Sequence, residues 1–392
     1  LEATDARLAF GTLAQGWRRR FTMPLVAVTG SNGKTTVTQM IASVFRAWVG
    51  DRALATAGSF NNDVGVPLTL LRMGAGGAPP PLAAVLEIGM NHPGEIAHLA
   101  ALVAPTIALV NNAQREHLEF MGSVEAVARE NGAVIEALPS DGIAVFPVDD
   151  AHAATWRALA GERRVVTFGD APSAAAVTGH AEWRADAWQI AMHTPSGEIE
   201  VSLQLPGRHN VHNALAAAAC AFAAGCPLPA IATGLSAFTA VKGRSQRHRL
   251  VRRGVVATLV DDTYNANPDS MRAAIDILAS LPGPRWLLIS DMGEVGDQGP
   301  EFHREVGAYA QQRGIETLWA GGTLSAETVR AFAGARGHAD VPSLVAAIEA
   351  AAAQDGLPPF ASVLVKGSRF VRMERAVAAL LALADPERSD AA

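Results

Sequence analysis

The stretch "VAVTGSNGKTT", Val26 to Thr36, holds the residue types of a phosphate site at an uncommon spacing. Gly30 and Gly33 let backbone approach an anion closely, Lys34 brings a point charge, and the Thr35 hydroxyl suits a divalent cation. The common phosphate loop, G-x-x-x-x-G-K-[ST], requires its first glycine where this chain has Val28. The apolar run before the loop reads as a strand and "TTVTQMIASVF" after it as a helix. Ser31, Asn32 and Thr36 then lie in or beside a turn whose backbone N–H groups favour an anion.

Other chemically capable residues fall at the ends of apolar runs. Glu87 closes "AAVLEIGM", where a buried carboxylate is costly unless paired or bound to a cation. His117 follows "TIALVNN". With Thr35, these residues come from successive strand ends and would surround one metal ion, whereas a lone histidine is more often structural. "GRHNVHNALAA" sets Asn210 and Asn213 at a helix start, where capping is the ordinary role. "DDTYNANPDS" places Asp261, Tyr264, Asn265 and Asn267 between a strand and a helix, in a run polar enough for a binding loop.

The elements that must position these residues alternate. "PLVAVTG", "AAVLEIGM" and "TIALVNNA" each lead into a helical pattern, which predicts an α/β fold with a mostly parallel central sheet. Between Asp150 and Leu205, "RVVTFG", "EWRADAWQIAMHT" and "GEIEVSLQLPG" read as alternating strands of a small antiparallel extension on that sheet. A second, Rossmann-like α/β series follows. We expect a helix in residues 1–24, a central domain over 25–240 and a C-terminal domain over 241–392, with the last residues, "ADPERSDAA", frayed. In open α/β sheets ligands sit beyond the carboxyl ends of strands, where these residues lie.

Composition narrows the function classes. A net charge of −6 over 392 residues and a pI near 6.0 argue against a nucleic-acid partner. The basic clusters "WRRRF" and "KGRSQRHRLVRR" read as solvated surface. Cys220 and Cys226 have no metal-knuckle or redox spacing and read as buried thiols of a reducing compartment. No apolar tract is long enough to span a membrane, so a cytoplasmic chain is expected.

The segments "TGSNGKTT", "GSFNNDVGVPLTLL", "LEIGMNHPGEI", "PGRHNVHNALAA", "DDTYNANPDSM", "DMGEVG" and "LVKGSR" occur in the order found in the Mur ligases, which this chain resembles from Val26 to Arg369. The shortened G-x-x-G-K-T-T loop is that family's form of the phosphate site. "DDTYNANPDSM" and "NNDVGVPLTLL" resemble the member that uses UDP-N-acetylmuramoyl-tripeptide and D-alanyl-D-alanine. The resemblance implies that ATP is bound by Gly30 to Thr36, with Lys34 on its β- and γ-phosphates and Mg²⁺ on Thr35 and Glu87. It gives His117 to a second Mg²⁺, Asn213 to adenine, Asp261 to ribose and Arg244 to the γ-phosphate, with Tyr264 and Asn265 beside the nucleotide. Asn61 and Asn62 are implied in muramoyl-peptide binding, and Asn267, Lys366 and Arg369 in substrate contacts. The enzyme implied is a monomeric, ATP-dependent ligase that acts through an acyl phosphate.

Two features depart from the family. Its members carry a further N-terminal domain that grips the UDP end of the precursor, and "LEATDARLAFGTLAQGWRRRF" resembles the linker helix after it. Asn131 stands where many relatives have a lysine that becomes carbamylated and helps hold the second metal. Neighbouring Glu130 is a candidate substitute, although adjacent helical residues point in different directions. A P-loop kinase or regulatory NTPase, and an inactive scaffold of the same fold, are the competing readings.

Overall fold

Strands rich in Val, Ile, Leu and Ala build two six-stranded sheets and one three-stranded sheet in a computed structural model that describes residues 4–170 and 174–385. Residues 1–3 of the expected helical linker, and the tail from 386 expected to fray, lie outside the described residues. Two units separate: one runs to Gln204 and resumes at Arg208–Thr239, and the other comprises Ala240 onward with Leu205–Gly207.

In the first unit, β1 (Leu25–Thr29), β2 (Ala53–Ala55), β3 (Ala83–Glu87), β4 (Ile107–Val110), β5 (Ile143–Pro147) and β6 (Arg164–Phe168) form a parallel sheet ordered β2-β3-β1-β4-β5-β6. β1, β3 and β4 are buried along their whole length, which explains why they read as continuous apolar runs rather than alternating ones. The chain lays β2 and β3 to one side of β1 and then crosses to β4 on the other. The loops leaving β1 and β4 therefore flank a topological switch point, where such sheets bind ligands.

Nine helices accompany these strands among the described residues: α1 (Ala6–Arg18), α2 (Lys34–Val49), α3 (Gly65–Leu71), α4 (Glu95–Val103), α5 (Leu118–Met121), α6 (Val124–Glu136), α7 (Ala153–Ala160), α8 (Arg208–Ala223) and α9 (Leu228–Ser236). Asp5 caps α1 by accepting from the Arg7 and Leu8 amides. The buried Arg18 guanidinium donates to the carbonyls of Val103 and Ala104, so a cation satisfies the C-terminus of α4. α8 is buried over most of its length because alanines on every face let it sit inside the unit. It holds Cys220, which is buried like Cys226, and burial pushes the Cys226 thiol up to about 12. Both cysteines are thus the buried thiols expected.

The region after Asp150 corrects the sequence reading. "RVVTFG" does not join an antiparallel extension; Arg164–Phe168 is β6, parallel to β5 through the unforeseen crossover helix α7. "EWRADAWQIAMHT" is not one strand. It spans a hairpin in which β7 (Thr178–Arg184) and β8 (Ala187–Thr194) meet through Ala185 and Asp186, both at positive φ, the turn that suits strand twist. With β9 (Gly197–Leu203) they form a separate antiparallel sheet, tied to β6 by a bridge between Phe168 and Val177.

In the second unit, β10 (Gln246–Arg252), β11 (Val255–Asp262), β12 (Arg285–Ser290), β13 (Thr317–Gly321), β14 (Arg336–His338) and β15 (Ser362–Lys366) are ordered β10-β11-β15-β12-β13-β14. All pairs are parallel except β10 with β11. Much of the cluster read as solvated surface, "KGRSQRHRLVRR", is thus the edge strand β10, and its charges blunt that edge. Helices α10 (Pro268–Ser280), α11 (Gly299–Gln312), α12 (Ser325–Arg330), α13 (Val341–Ala353) and α14 (Glu374–Ala382) complete the unit.

His303 on α11 is buried and bridges two backbone groups. Its Nε2 accepts the Met292 amide at 3.0 Å, so Nδ1–H donates to the Gly299 carbonyl at 2.7 Å. Burial lowers its pKa, against smaller opposing effects of the Gly299 carbonyl, Asp291 and Glu327. The unfolded chain then binds a proton below about pH 6.5 that the folded chain refuses. Stability is present above that pH and is lost as pH falls towards the folded value. Thermal melts between pH 7.5 and 5.5 should therefore fall in Tm, and His303→Gln should make that dependence shallower; an unchanged slope counts against this assignment.

Candidate functional site

The phosphate loop leaves β1 and enters α2 with both glycines in conformations only glycine takes easily. Gly30 has φ +128°, and an added Cβ would meet the Asn111 backbone at 3.0 Å. Gly33 has φ +82°, and its Cβ would lie 2.5 Å from Asn213 Oδ1. The short G-x-x-G spacing is therefore a tightly packed turn.

Neutral groups hold its first three amides. Gly30 N–H donates to Asn131 Oδ1 at 2.8 Å, Ser31 N–H to the Asn112 carbonyl at 3.1 Å, and Asn32 N–H to Asn112 Oδ1 at 2.9 Å. The first bond of the helix runs from Val37 N–H to the Gly33 carbonyl. The amides of Lys34, Thr35 and Thr36 precede that bond, so an anion is drawn to the start of α2 rather than to the loop's opening residues. Lys34 Nζ donates to the carbonyls of Gly30 at 2.6 Å and Ser31 at 3.0 Å. It also forms a nearly buried ion pair with Glu116, 3.1 and 3.2 Å from the two carboxylate oxygens.

The strand order places further groups on either side. Val28 of β1 lies opposite Glu87 of β3. Glu87 is 1% exposed, and its Oε1 accepts from Asn61 Nδ2 at 2.7 Å. Its Oε2 is buried with no hydrogen-bond partner, as is Thr35 Oγ1. Two unmatched buried oxygens, one anionic, match a hard divalent cation. On the other side, beyond β4, Glu116 leads into His117, which has φ +52° and stands with Nε2 3.6 Å from Glu116 Oε1. Among the described residues no three of His, Cys, Asp and Glu gather as a metal centre, so a cation beside Glu87 would draw its further ligands from hydroxyl, ligand and water oxygens.

Neither Asn210 nor Asn213 is a cap; both are buried within α8. Asn213 Oδ1 accepts from Asn111 Nδ2 at 3.0 Å and its Nδ2 donates to Asn210 Oδ1 at 3.0 Å, so Asn213 stands against the loop at Gly33. Asn62 Oδ1 accepts the Gly65 amide and turns the chain into α3. Glu130 does not stand in for a metal-binding carboxylate at the loop. It accepts from the Gly94 and Ile96 amides at 2.9 Å each and caps α4, while Asn131, one residue on, reaches Gly30.

In the second unit, the Arg244 guanidinium lies 3.9 Å from the Tyr264 ring centroid and that of Arg369 lies 5.7 Å from it. Asp261 Oδ1 accepts from Thr263 N–H and Oγ1. Lys366 is buried against Asp262 at 2.6 Å and also donates to the Asn265 carbonyl at 2.8 Å. Asn267 caps α10 in a capping box with Ser270. Sequence reasoning missed Glu116, Asn111, Asn112 and Gln114, although the polar run "NNAQREH" directly after β4 was the available signal. Gln114 Oε1 accepts from Asn32 Nδ2 at 2.6 Å.

Two family models match the chain: the Mur ligase middle domain over residues 28–221, and the "Mur ligase, glutamate ligase domain" over residues 243–369. Similar relatives include the UDP-N-acetylmuramoyl-tripeptide–D-alanyl-D-alanine ligases of Escherichia coli and Haemophilus influenzae. They are 39% and 36% identical, over 96% and 97% of this chain and 81% of each relative. Among solved structures, MurF from Acinetobacter baumannii matches with a TM-score of 0.88 at 31% identity, over 97% of this chain and 82% of that one. MurF from Thermotoga maritima in complex with ADP shares the fold, with a TM-score of 0.82 at 22% identity, over 98% of this chain and 85% of that one.

The Lys34–Glu116 pair leads to a prediction. Glu116→Gln keeps an acceptor but removes the charge, which should destabilise the unliganded chain by about 1.5–3 kcal/mol. It also frees Lys34 for phosphate. Thermal denaturation with and without ADP should show a lower starting Tm and a larger ADP-induced rise than in the unaltered chain. An equal rise in both would mean that Glu116 does not compete for the lysine.

Proposed function

The chain belongs to the Mur ligase family, and from that premise we propose how its residues carry out the reaction for which its relatives are named. It is an ATP-dependent ligase of peptidoglycan precursor synthesis that joins D-alanyl-D-alanine to UDP-N-acetylmuramoyl-tripeptide. The observation that carries this reading is the packed G-x-x-G-K-T-T turn beside a buried carboxylate with one unmatched oxygen, in a chain of this similarity. The NTPase and scaffold readings have no comparable support.

The terminal carboxylate of the tripeptide attacks the γ-phosphorus of ATP, forming an acyl C–O–P linkage as the bond to ADP breaks. The amine of D-alanyl-D-alanine then adds to the acyl carbon, loses its proton, and the tetrahedral intermediate expels inorganic phosphate. The first step brings two anions together. Lys34 and the first amides of α2 supply fixed positive potential for the phosphoryl oxygens. Lys34 must exchange Glu116 for phosphate, and because its other partners, the Gly30 and Ser31 carbonyls, lie within the loop, the ammonium is already in place when nucleotide arrives.

We assign Mg²⁺ to Thr35 Oγ1 and Glu87 Oε2, with His117 for a second ion; when bound, the metal neutralises charge on phosphate oxygens. Asn61 then orients Glu87 through Oε1 and leaves Oε2 for the cation. Asn213 is assigned to the nucleotide base, and Asn61 and Asn62 to the muramoyl-peptide. In the second unit we assign Arg244, Asp261, Tyr264 and Asn265 to ATP, and Asn267, Lys366 and Arg369 to the peptide substrates. Arg244 suits a phosphate because its guanidinium is always charged, and stacking on Tyr264 fixes its plane. The same reading places a monomeric chain in the cytoplasm, where ATP and the UDP-linked precursor are available.

Phosphate release should depend on both UDP-N-acetylmuramoyl-tripeptide and D-alanyl-D-alanine, and Lys34→Ala should abolish it. Glu87→Gln should lower kcat and raise the Mg²⁺ concentration needed for half-maximal rate. Release that continues without the peptide substrates would overturn the ligase reading.

A further inference from the structure

Asn131 is 1% exposed, and the two ends of its carboxamide are treated differently. Oδ1 accepts the Gly30 amide at 2.8 Å, and because that donor is a backbone N–H, the orientation of the carboxamide is fixed. The main-chain carbonyl of Asn131 accepts from Thr29 Oγ1 at 3.0 Å, so this turn of α6 is joined to the loop at two consecutive residues. Nδ2 is then a buried donor with no partner. Leaving such a donor unsatisfied is costly, because it has given up its bonds to water and gained none in return.

Two carboxylates of this unit, one adjacent in sequence and one paired with the loop lysine, are otherwise engaged. Glu130 caps α4 through Gly94 and Ile96, and Glu116 holds Lys34. Nδ2 shares a carbon with Oδ1 and so stands close to Gly30, the first residue of the loop that leads into the start of α2. An acceptor brought in by a ligand would satisfy it.

We propose that Asn131 is a ligand-facing residue: Oδ1 locks Gly30, and Nδ2 donates a hydrogen bond to a phosphoryl oxygen bound at the loop. The α6 side of the site thereby presents a neutral donor, which favours an anion over a cation at that point. This rests on the nucleotide reading of the loop.

Asn131→Asp tests it in the full chain, because the isosteric carboxylate still accepts from Gly30 but cannot donate. Calorimetric titration with Mg²⁺-free ADP at pH 8 should show affinity about tenfold to a hundredfold weaker than that of the unaltered chain. As pH falls and the buried carboxyl takes up a proton, its O–H replaces the lost donor. The gap between variant and unaltered chain should then narrow. Equal affinity in the two chains at pH 8, or a gap that does not change with pH, overturns the proposal. Because the new carboxylate also repels phosphate until it is protonated, the unaltered chain labelled with ¹⁵N-asparagine separates a lost donor from a gained charge, and it serves equally should the variant fail to fold. The Nδ2 protons, identified by their absence in Asn131→Ala, should move downfield on addition of ADP, and no movement overturns the proposal. Failure of the unaltered chain to bind ADP at all would instead sink the nucleotide reading.

Discussion

The hydrogen bond from the Gly30 amide to Asn131 Oδ1 fixes the opening turn of the phosphate loop, and much of the first unit is arranged so that it can form. It requires a backbone at φ +128° pressed against Asn111, which excludes any side chain at residue 30. It also requires α6, which connects β4 to β5, to pass beside the end of β1. Once Gly30, Ser31 and Asn32 have donated to carboxamide and carbonyl oxygens, the loop has little freedom left to lose when an anion binds. The site is therefore organised in advance, and binding energy need not be used to order the turn.

A division of labour between neutral and charged groups follows. Asn111, Asn112, Asn131, Asn213 and Gln114 support the loop and its approaches without adding charge. The charged groups are few: Lys34 with Glu116 on one side of β1, and Glu87 on the other. Charged supports would perturb the potential a phosphate meets, because charges interact strongly at low dielectric. Neutral carboxamides hold geometry while leaving the field to Lys34 and the helix start.

Much of this was legible in the sequence. The loop, the parallel strands and the position of Glu87 at a strand end followed from apolar runs broken by glycine or polar residues, whereas His117 lies past the end of β4, at the start of α5. What was not legible depended on pairing across the fold. "RVVTFG" alternates no more clearly than an antiparallel strand would, and only its placement beside β5 makes it β6. The turn in "EWRADAWQIAMHT" uses Ala185 and Asp186 rather than Asn-Gly, so no hairpin signal was present. Asn131 could be recognised only as a departure from relatives; its role emerged from a contact spanning a hundred residues of sequence.

The second unit uses charge differently. Lys366, at the end of β15, is buried against Asp262 and the Asn265 carbonyl, while Ser368 Oγ accepts the Gly293 amide beyond β12. Three neighbouring strand ends are thereby cross-tied, and the Lys366 ammonium is committed before any substrate binds. A buried pair of this kind gains little net stability, because desolvation offsets attraction, but losing either partner leaves a stranded charge. Its value here lies in geometry. With Asp262 also accepting the Ser245 amide, the pair fixes the residue next to Arg244 and holds the loop that carries Tyr264. Lys366 thereby helps to hold both the residue next to Arg244 and the loop whose Tyr264 ring Arg244 stacks on.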